Sequence, residues 1–297
     1  MSQNDTAGFV NNKIWELFCM HFKSETTSHS YWSDIQEFCR FTDKAFTKTR
    51  EQDVKAYHAF LTERVKGGEI TALTVTKKFR ELHSFAAFTQ EMDETAGRGF
   101  EDFFYPYLKD MVKEAPFARS VPVEHMDALL RAAQEDLQAY TILTLMYRAG
   151  LTSGEIIALN GPEDFAMYDD GVYVIPAGRR EPCYIPADAW KVLEKYLAQR
   201  EDCQSLFYNR SRRRLNPMYI SRMMKKYTKR AGIPSYSAHA VRNTCAFNLF
   251  AYGADKEQTA GQMGRTTQQI QRYRGMSYRE NLKKQANDLV KIQIQTP

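Results

Sequence analysis

Apolar residues recur every three to four positions through most of this chain. The rhythm gives way to convincing alternation in one place, residues 171–186. A chain patterned this way is expected to be mainly α-helical with a small antiparallel β-sheet. Trp15, Phe18, Cys19 and Phe22 mark a first helix, and Tyr31, Ile35, Phe38 and Phe41 a second, with Ser28 or Ser30 as its cap. A third stripe follows Thr49 through Val54, Tyr57, Phe60, Leu61 and Val65 and stops at Gly67-Gly68. A fourth covers 74–92, so residues 10–92 read as a compact four-helix unit.

The character changes over 93–122, where Gly, Pro and charged residues interrupt the period. With 297 residues there is room for two domains. The expected division is a helical domain over 1–100, a linker over 101–120 and a second domain over 121–297. In the second domain Leu129, Leu130, Ala133 and Leu137 lead into an apolar helix over 139–148 that stops at Gly150, and another helix starts near Ser153. The stretch 171–186, GVYVIPAGRREPCYIP, sets Val172 and Val174 against Tyr184 and Ile185 around a Gly-Arg-Arg-Glu turn, a β-hairpin pattern. Helices are expected again over 187–200, 216–231, 237–252, 256–263 and 267–275.

Charge narrows the function classes. The net charge is +5, a mild basic bias that permits nucleic acid without specifying it. Its distribution says more. Residues 205–230 carry Arg210, Arg212, Arg213, Arg214, Arg222, Lys225, Lys226, Lys229 and Arg230 and no acid. A solvated helix face normally mixes both signs, so a one-sign run suits a polyanion such as double-stranded DNA, with ordinary solvated surface as the alternative. No stretch of eighteen apolar residues suggests a membrane span, and the polar start MSQNDTAGFVNNK lacks a signal-peptide pattern, so a cytoplasmic, nucleoid-associated protein is expected. Cys19, Cys39, Cys183, Cys203 and Cys245 are scattered and odd in number, which reads as reduced thiols rather than a disulfide framework or zinc site.

Four blocks along the chain carry a resemblance. Residues 237–255, SAHAVRNTCAFNLFAYGAD, hold His239, Arg242, Asn243 and Thr244 and then Gly253-Ala254-Asp255. Residues 262–276 hold Met263-Gly264-Arg265 and Tyr273, 147–165 hold Gly150-Leu151-Thr152, and 171–186 hold the hairpin. In order and spacing these resemble the tyrosine recombinase (phage integrase) family. The resemblance implies an N-terminal four-helix core-binding (SAM-like) domain followed by a C-terminal domain of the tyrosine-recombinase catalytic type.

In that family a tyrosine oxygen attacks a DNA phosphodiester and leaves a phosphotyrosyl link. A free phenol holds its proton until about pH 10, so the nucleophile needs help. The phosphate needs fixed cationic donors, and the departing 5′-hydroxyl a general acid, which the family supplies from a lysine on the hairpin. No cofactor or metal is implied. By resemblance Tyr273 stands at the nucleophile, with Tyr278 as a weaker fallback. Arg242 and His239 stand at the second arginine and its histidine, three residues apart at a helix start, where both can face one phosphate.

The catalytic set is incomplete. Thr152 stands where the family has its first arginine, Arg179 or Arg180 where it has the lysine, Arg265 and Asn243 where it has histidines. Arginine binds phosphate well but donates a proton poorly near neutrality. Loss of one preorganised donor costs about 10²–10³ in rate, and such losses do not simply multiply. Phosphate affinity, carried by Lys and Arg, is expected to survive. The favoured reading is a two-domain clamp that binds duplex DNA and cuts slowly or not at all, as a regulator, architectural factor or partner of an active recombinase. Arg212, Arg213, Arg214, Arg222, Lys225, Lys226 and Lys229 are its expected DNA contacts. An active, divergent recombinase of a mobile element is the alternative, and a helical protein–protein adaptor the weakest. The tail 281–297, with Val290, Ile292 and Ile294 alternating, suits a strand added to a neighbouring protomer or a frayed end.

Overall fold

The computed structural model describes residues 9–22, 24–96, 99–111 and 118–273. The chain forms two compact units, Met1–Ala115 and Pro116–Pro297. The first contains α1 (Asn12–Cys19), α2 (Glu25–Thr42), α3 (Glu51–Lys66), α4 (Ala72–Ala96) and the short α5 (Tyr105–Asp110). Its core is an aromatic cluster. Phe38 meets Tyr57 at 5.2 Å and Phe104 at 5.1 Å between ring centres, and Phe46 stacks on Phe104 at 6.0 Å. Phe104 is fully buried there, so the first part of the expected linker belongs to this unit. The lost helical period over 93–104 hid that packing. The cap of α2 also differs from expectation. The helix begins one residue after Ser24, Ser28 and Ser30 lie inside it, and Ser30 donates to Glu81 at 3.1 Å.

An ionic knot ties α2 to α4. The Lys78 ammonium lies 2.7 Å from Asp34 and 2.9 Å from Glu37, and Lys77 lies 2.8 Å from Asp34. Burial works against the Asp34 carboxylate, but the hydrogen bonds and charge of Lys77 and Lys78 outweigh it and hold the group below its ordinary value.

The second unit opens with α6 (Val123–Ala133) and α7 (Leu137–Thr144). The latter runs on as one π-helical turn, Leu145–Ala149, and is stopped by Gly150 in the left-handed region. Then come α8 (Ser153–Ala158) and a three-stranded antiparallel sheet of β1 (Phe165–Tyr168), β2 (Gly171–Val174) and β3 (Cys183–Ile185) in that order. The expected hairpin is β2–β3, with Val172 opposite Ile185 and Val174 opposite Cys183. Strand β1 escaped the pattern because only Phe165 of its four residues is buried. Helices α9 (Ala187–Gln199), α10 (Pro217–Arg230), α11 (Ala238–Ala251), α12 (Lys256–Met263) and α13 (Thr267–Ile270) follow, and a 3₁₀ turn, Gln271–Tyr273, closes the described part. Each of the last four α-helices starts on a side-chain cap: Asn216, Ser237, Asp255 and Thr266. Helix α11 is central, burying every residue from Ala240 to Ala246.

The five cysteines are free thiols, with Cys39, Cys183 and Cys245 buried. Among the described residues no helix is long and apolar enough to cross a membrane.

Candidate active site

The first turn of α11 starts the site. Ser237 caps it, accepting from the Ala240 N–H at 3.2 Å, and this fixes His239 and Arg242 on successive turns. Arg242 is only 2% exposed. Its Nε donates to the Gly150 carbonyl at 2.8 Å, and its Nη2 donates to the Met263 carbonyl. Its Nη1 is buried with no hydrogen-bond partner among the described residues. Burial, then the neighbouring charge of Arg265, pulls this guanidinium below its ordinary value.

Arg179 enters from the β2–β3 turn with its side chain 4% exposed. Its Nε lies 2.6 Å from Glu155 Oε1 and its Nη2 2.7 Å from Oε2, a two-pronged ion pair. Nη1 donates to the Gln262 carbonyl at 2.7 Å. Glu155 is itself held by the start of α8. It accepts from the Thr152 N–H at 2.7 Å, while the Thr152 hydroxyl accepts from the Glu155 N–H at 3.1 Å. Thr152 therefore works as a helix cap.

Burial works to raise the Glu155 carboxyl, but Arg179 and the Thr152 N–H outweigh it, and the group titrates below its ordinary value. A carboxylate depressed in this way contributes stability that is fully present above its unfolded value, about 4.5, and lost as pH falls through the folded one. Urea unfolding between pH 7 and 3 should show an acid limb no steeper than about 1.4 kcal/mol per pH unit from this group. Glu155→Gln should flatten that limb; an unchanged limb would remove Glu155 as its source.

The tyrosine completes the site. Tyr273 is 2% exposed, edge-on to Phe247 at 5.9 Å. Arg272, which sequence reasoning did not single out, donates to the Tyr273 hydroxyl at 3.0 Å and lies 3.4 Å from His239 Nε2. Its guanidinium carbon sits 4.9 Å from the Tyr273 ring centre. The only signal in the sequence was adjacency to Tyr273. Burial, then the charges of Arg242, Arg272 and Arg265, lowers the His239 value, so the imidazole is neutral near pH 7. In the tautomer protonated at Nδ1, its Nε2 accepts from Arg272.

Arg242 thus lies within electrostatic reach of Arg265 and Tyr273, and His239 within reach of Arg242 and Arg265. Arg265 and Arg180 are exposed, and with Arg179 they line a cleft of about 540 Å³ whose rim carries Glu181 and Glu257. Asn243 is buried on the other side of α11, donating to the Arg119 carbonyl at 3.0 Å. Tyr278 and the tail 281–297 lie outside the described residues.

The basic segment divides. Helix α10 buries Ile220, Met223, Met224 and Tyr227, leaving Arg222, Lys225, Lys226 and Lys229 exposed. The segment has no acid of its own, but the fold brings some: Arg212 pairs with Glu201 at 2.5 Å, Arg230 with Glu135 at 2.7 Å, and Lys226 lies 3.7 Å from Asp136. Arg214 is tied down, donating to the Ile157 carbonyl and to Asn160 Oδ1, each at 2.6 Å. Arg213, Arg222, Lys225 and Lys229 make no ion pair among the described residues. Arg222 and Lys226 also border a cleft of about 1040 Å³.

A helical unit followed by a mixed unit, in which a helix-borne histidine and arginine meet a tyrosine from a later turn, defines a protein of the tyrosine-recombinase class. The family model described as Phage integrase family matches residues 119–279. The chain belongs to the phage integrase family, the tyrosine recombinases. It is 27% identical over 273 residues to the tyrosine recombinase XerC of Staphylococcus carnosus (strain TM300), covering 85% of this chain and 88% of that one. The fold is similar to that of the XerA recombinase, with TM-score 0.51 and 20% identity over 93% of this chain and 98% of that one. A lambda integrase dimer bound to a COC′ core site gives TM-score 0.67 and 14% identity over 96% of this chain and 79% of that one.

Proposed function

We propose that this chain binds double-stranded DNA and seats a backbone phosphate against Arg242, but cleaves the strand very slowly or not at all. The observation that carries this reading is the pairing of Arg179 with Glu155. The hairpin cation is committed to a carboxylate, and arginine is a poor proton donor near neutrality. The 5′-oxygen therefore lacks a leaving-group acid. Position 152 adds no charge, since its threonine caps α8. Phosphate affinity is retained through Arg242, whose Nη1 has no partner among the described residues, and through the α10 cations that make no ion pair among them. The lambda integrase dimer of similar fold is bound to a COC′ core site, which supports duplex binding here. On this reading the chain acts on the nucleoid in the cytoplasm, as a regulatory, architectural or partner subunit in site-specific recombination. The 281–297 tail would contact another copy or an active recombinase.

A second reading, an active divergent recombinase of a mobile element, is favoured by one contact. Arg272 places a cation on the Tyr273 hydroxyl, where phenolate charge would develop. Incubation with nicked suicide duplexes from the chain's own genomic neighbourhood separates the two. The expected result is salt-sensitive binding without a denaturation-resistant protein–DNA band. A band present in the wild type and lost in Tyr273→Phe would overturn the first reading and establish the second.

A further inference from the structure

Two guanidiniums converge on one backbone carbonyl. Arg242 Nε donates to the Gly150 oxygen at 2.8 Å, and Arg179 Nη2 approaches the same oxygen at 3.4 Å. Their other arms take neighbouring carbonyls, Gln262 for Arg179 and Met263 for Arg242. Gly264 makes the room. A Cβ there would lie 2.6 Å from Arg179 Nε, and its φ of +57° is already one that side chains rarely adopt. The two forks are thus laid side by side by the backbone at 150 and 262–264.

The charge around them does not balance. Among the described residues Glu155 is the only carboxylate paired with either guanidinium. Of the two acids on the cleft rim, Glu257 lies 3.7 Å from Lys256, and Glu181 forms no ion pair among the described residues. A guanidinium has five N–H groups. Arg179 also interacts with the Cys183 thiol, whereas on Arg242 both Nη1 hydrogens lack a partner among the described residues. A buried cation with unspent donors beside a second cation is unfavourable without an anion.

We propose that Arg179 is the second guanidinium of the phosphate seat, a binding group set in place by Glu155 and delivered by the hairpin, which substitutes for the charge absent at position 152. This rests on the reading of the site as a phosphate seat. Two adjacent forks suit a tetrahedral oxyanion, each taking different oxygens. The hairpin then supplies charge at a fixed point instead of a proton.

The test uses the full chain and inorganic phosphate at constant ionic strength, followed by thermal shift and calorimetry. Wild type should bind phosphate. Arg179→Gln should bind about tenfold more weakly or worse, since each lost bond is charge-assisted. Arg179→Lys, which keeps the charge but not the fork, should also weaken binding while preserving the fold, so it decides the matter if the glutamine variant does not fold. Arg179→Lys combined with Thr152→Arg should recover affinity by returning a guanidinium from α8. Wild-type affinity in a folded Arg179→Lys would overturn the role of Arg179 and leave the site reading standing. No phosphate binding by the wild type would overturn the site reading itself, and this inference with it.

Discussion

Replacing Arg242 with alanine should lower affinity for duplex DNA by about ten- to a hundredfold, the range for losing charge-assisted bonds to one phosphate. The slope of log affinity against log salt should shrink by about 0.9, the signature of one lost phosphate contact. The fold should change much less than so buried a side chain suggests. Alanine leaves the Met263 carbonyl without its partner and opens a void, which costs stability. It also removes a buried cation lying near Arg265 and Arg179 with an unpartnered Nη1, which restores some. The two oppose, and a net loss of about 1–2 kcal/mol is expected. Unchanged binding and salt slope in a stably folded variant would remove Arg242 from the DNA interface.

Gly150→Ala should have the larger effect on stability. Gly150 ends the π-helical turn at φ +71°, and an added Cβ would stand 2.5 Å from Met263 Sδ and 3.3 Å from Cys245 Sγ. The left-handed conformation alone costs an alanine about 1–2 kcal/mol. Overpacking against two buried sulfur side chains adds about 1–3 kcal/mol. A loss of about 2–5 kcal/mol in urea unfolding is therefore expected, with DNA binding reduced because the same carbonyl anchors Arg242. Gly178, at φ +85° with open space around it, is the control, where only the conformational cost applies. Equal losses at the two glycines would show that packing at Gly150 is slack.

What was legible in the sequence was what depends on local order. The helical periods of α9 to α12 fall within a residue or two of their observed ends, since each begins on a short polar cap or proline and ends near a glycine or a basic turn. His239 and Arg242 were singled out by resemblance, and their common direction follows from a spacing of three along one helix. The Arg179–Glu155 pair was not, because the partners sit on a turn and on α8 and only tertiary packing joins them. The same holds for the acids that meet the basic segment. Glu135, Asp136 and Glu201 lie outside 205–230, so that run looked more exposed to a polyanion than it is. Phe104 was hidden for a related reason. Several aromatics crowd residues 100–107 without a helical period, so the sequence does not single out the one that fills the centre of the first core.

The Gly150 oxygen has a dynamic consequence. The hairpin through Arg179, α11 through Arg242, and the end of α12 through the adjacent carbonyls are all fastened around it. None of the three can leave alone without stranding a buried donor or acceptor. Amide protons of these segments should therefore exchange with solvent at a common rate and respond together to denaturant, as one cooperative opening unit within the second half of the chain.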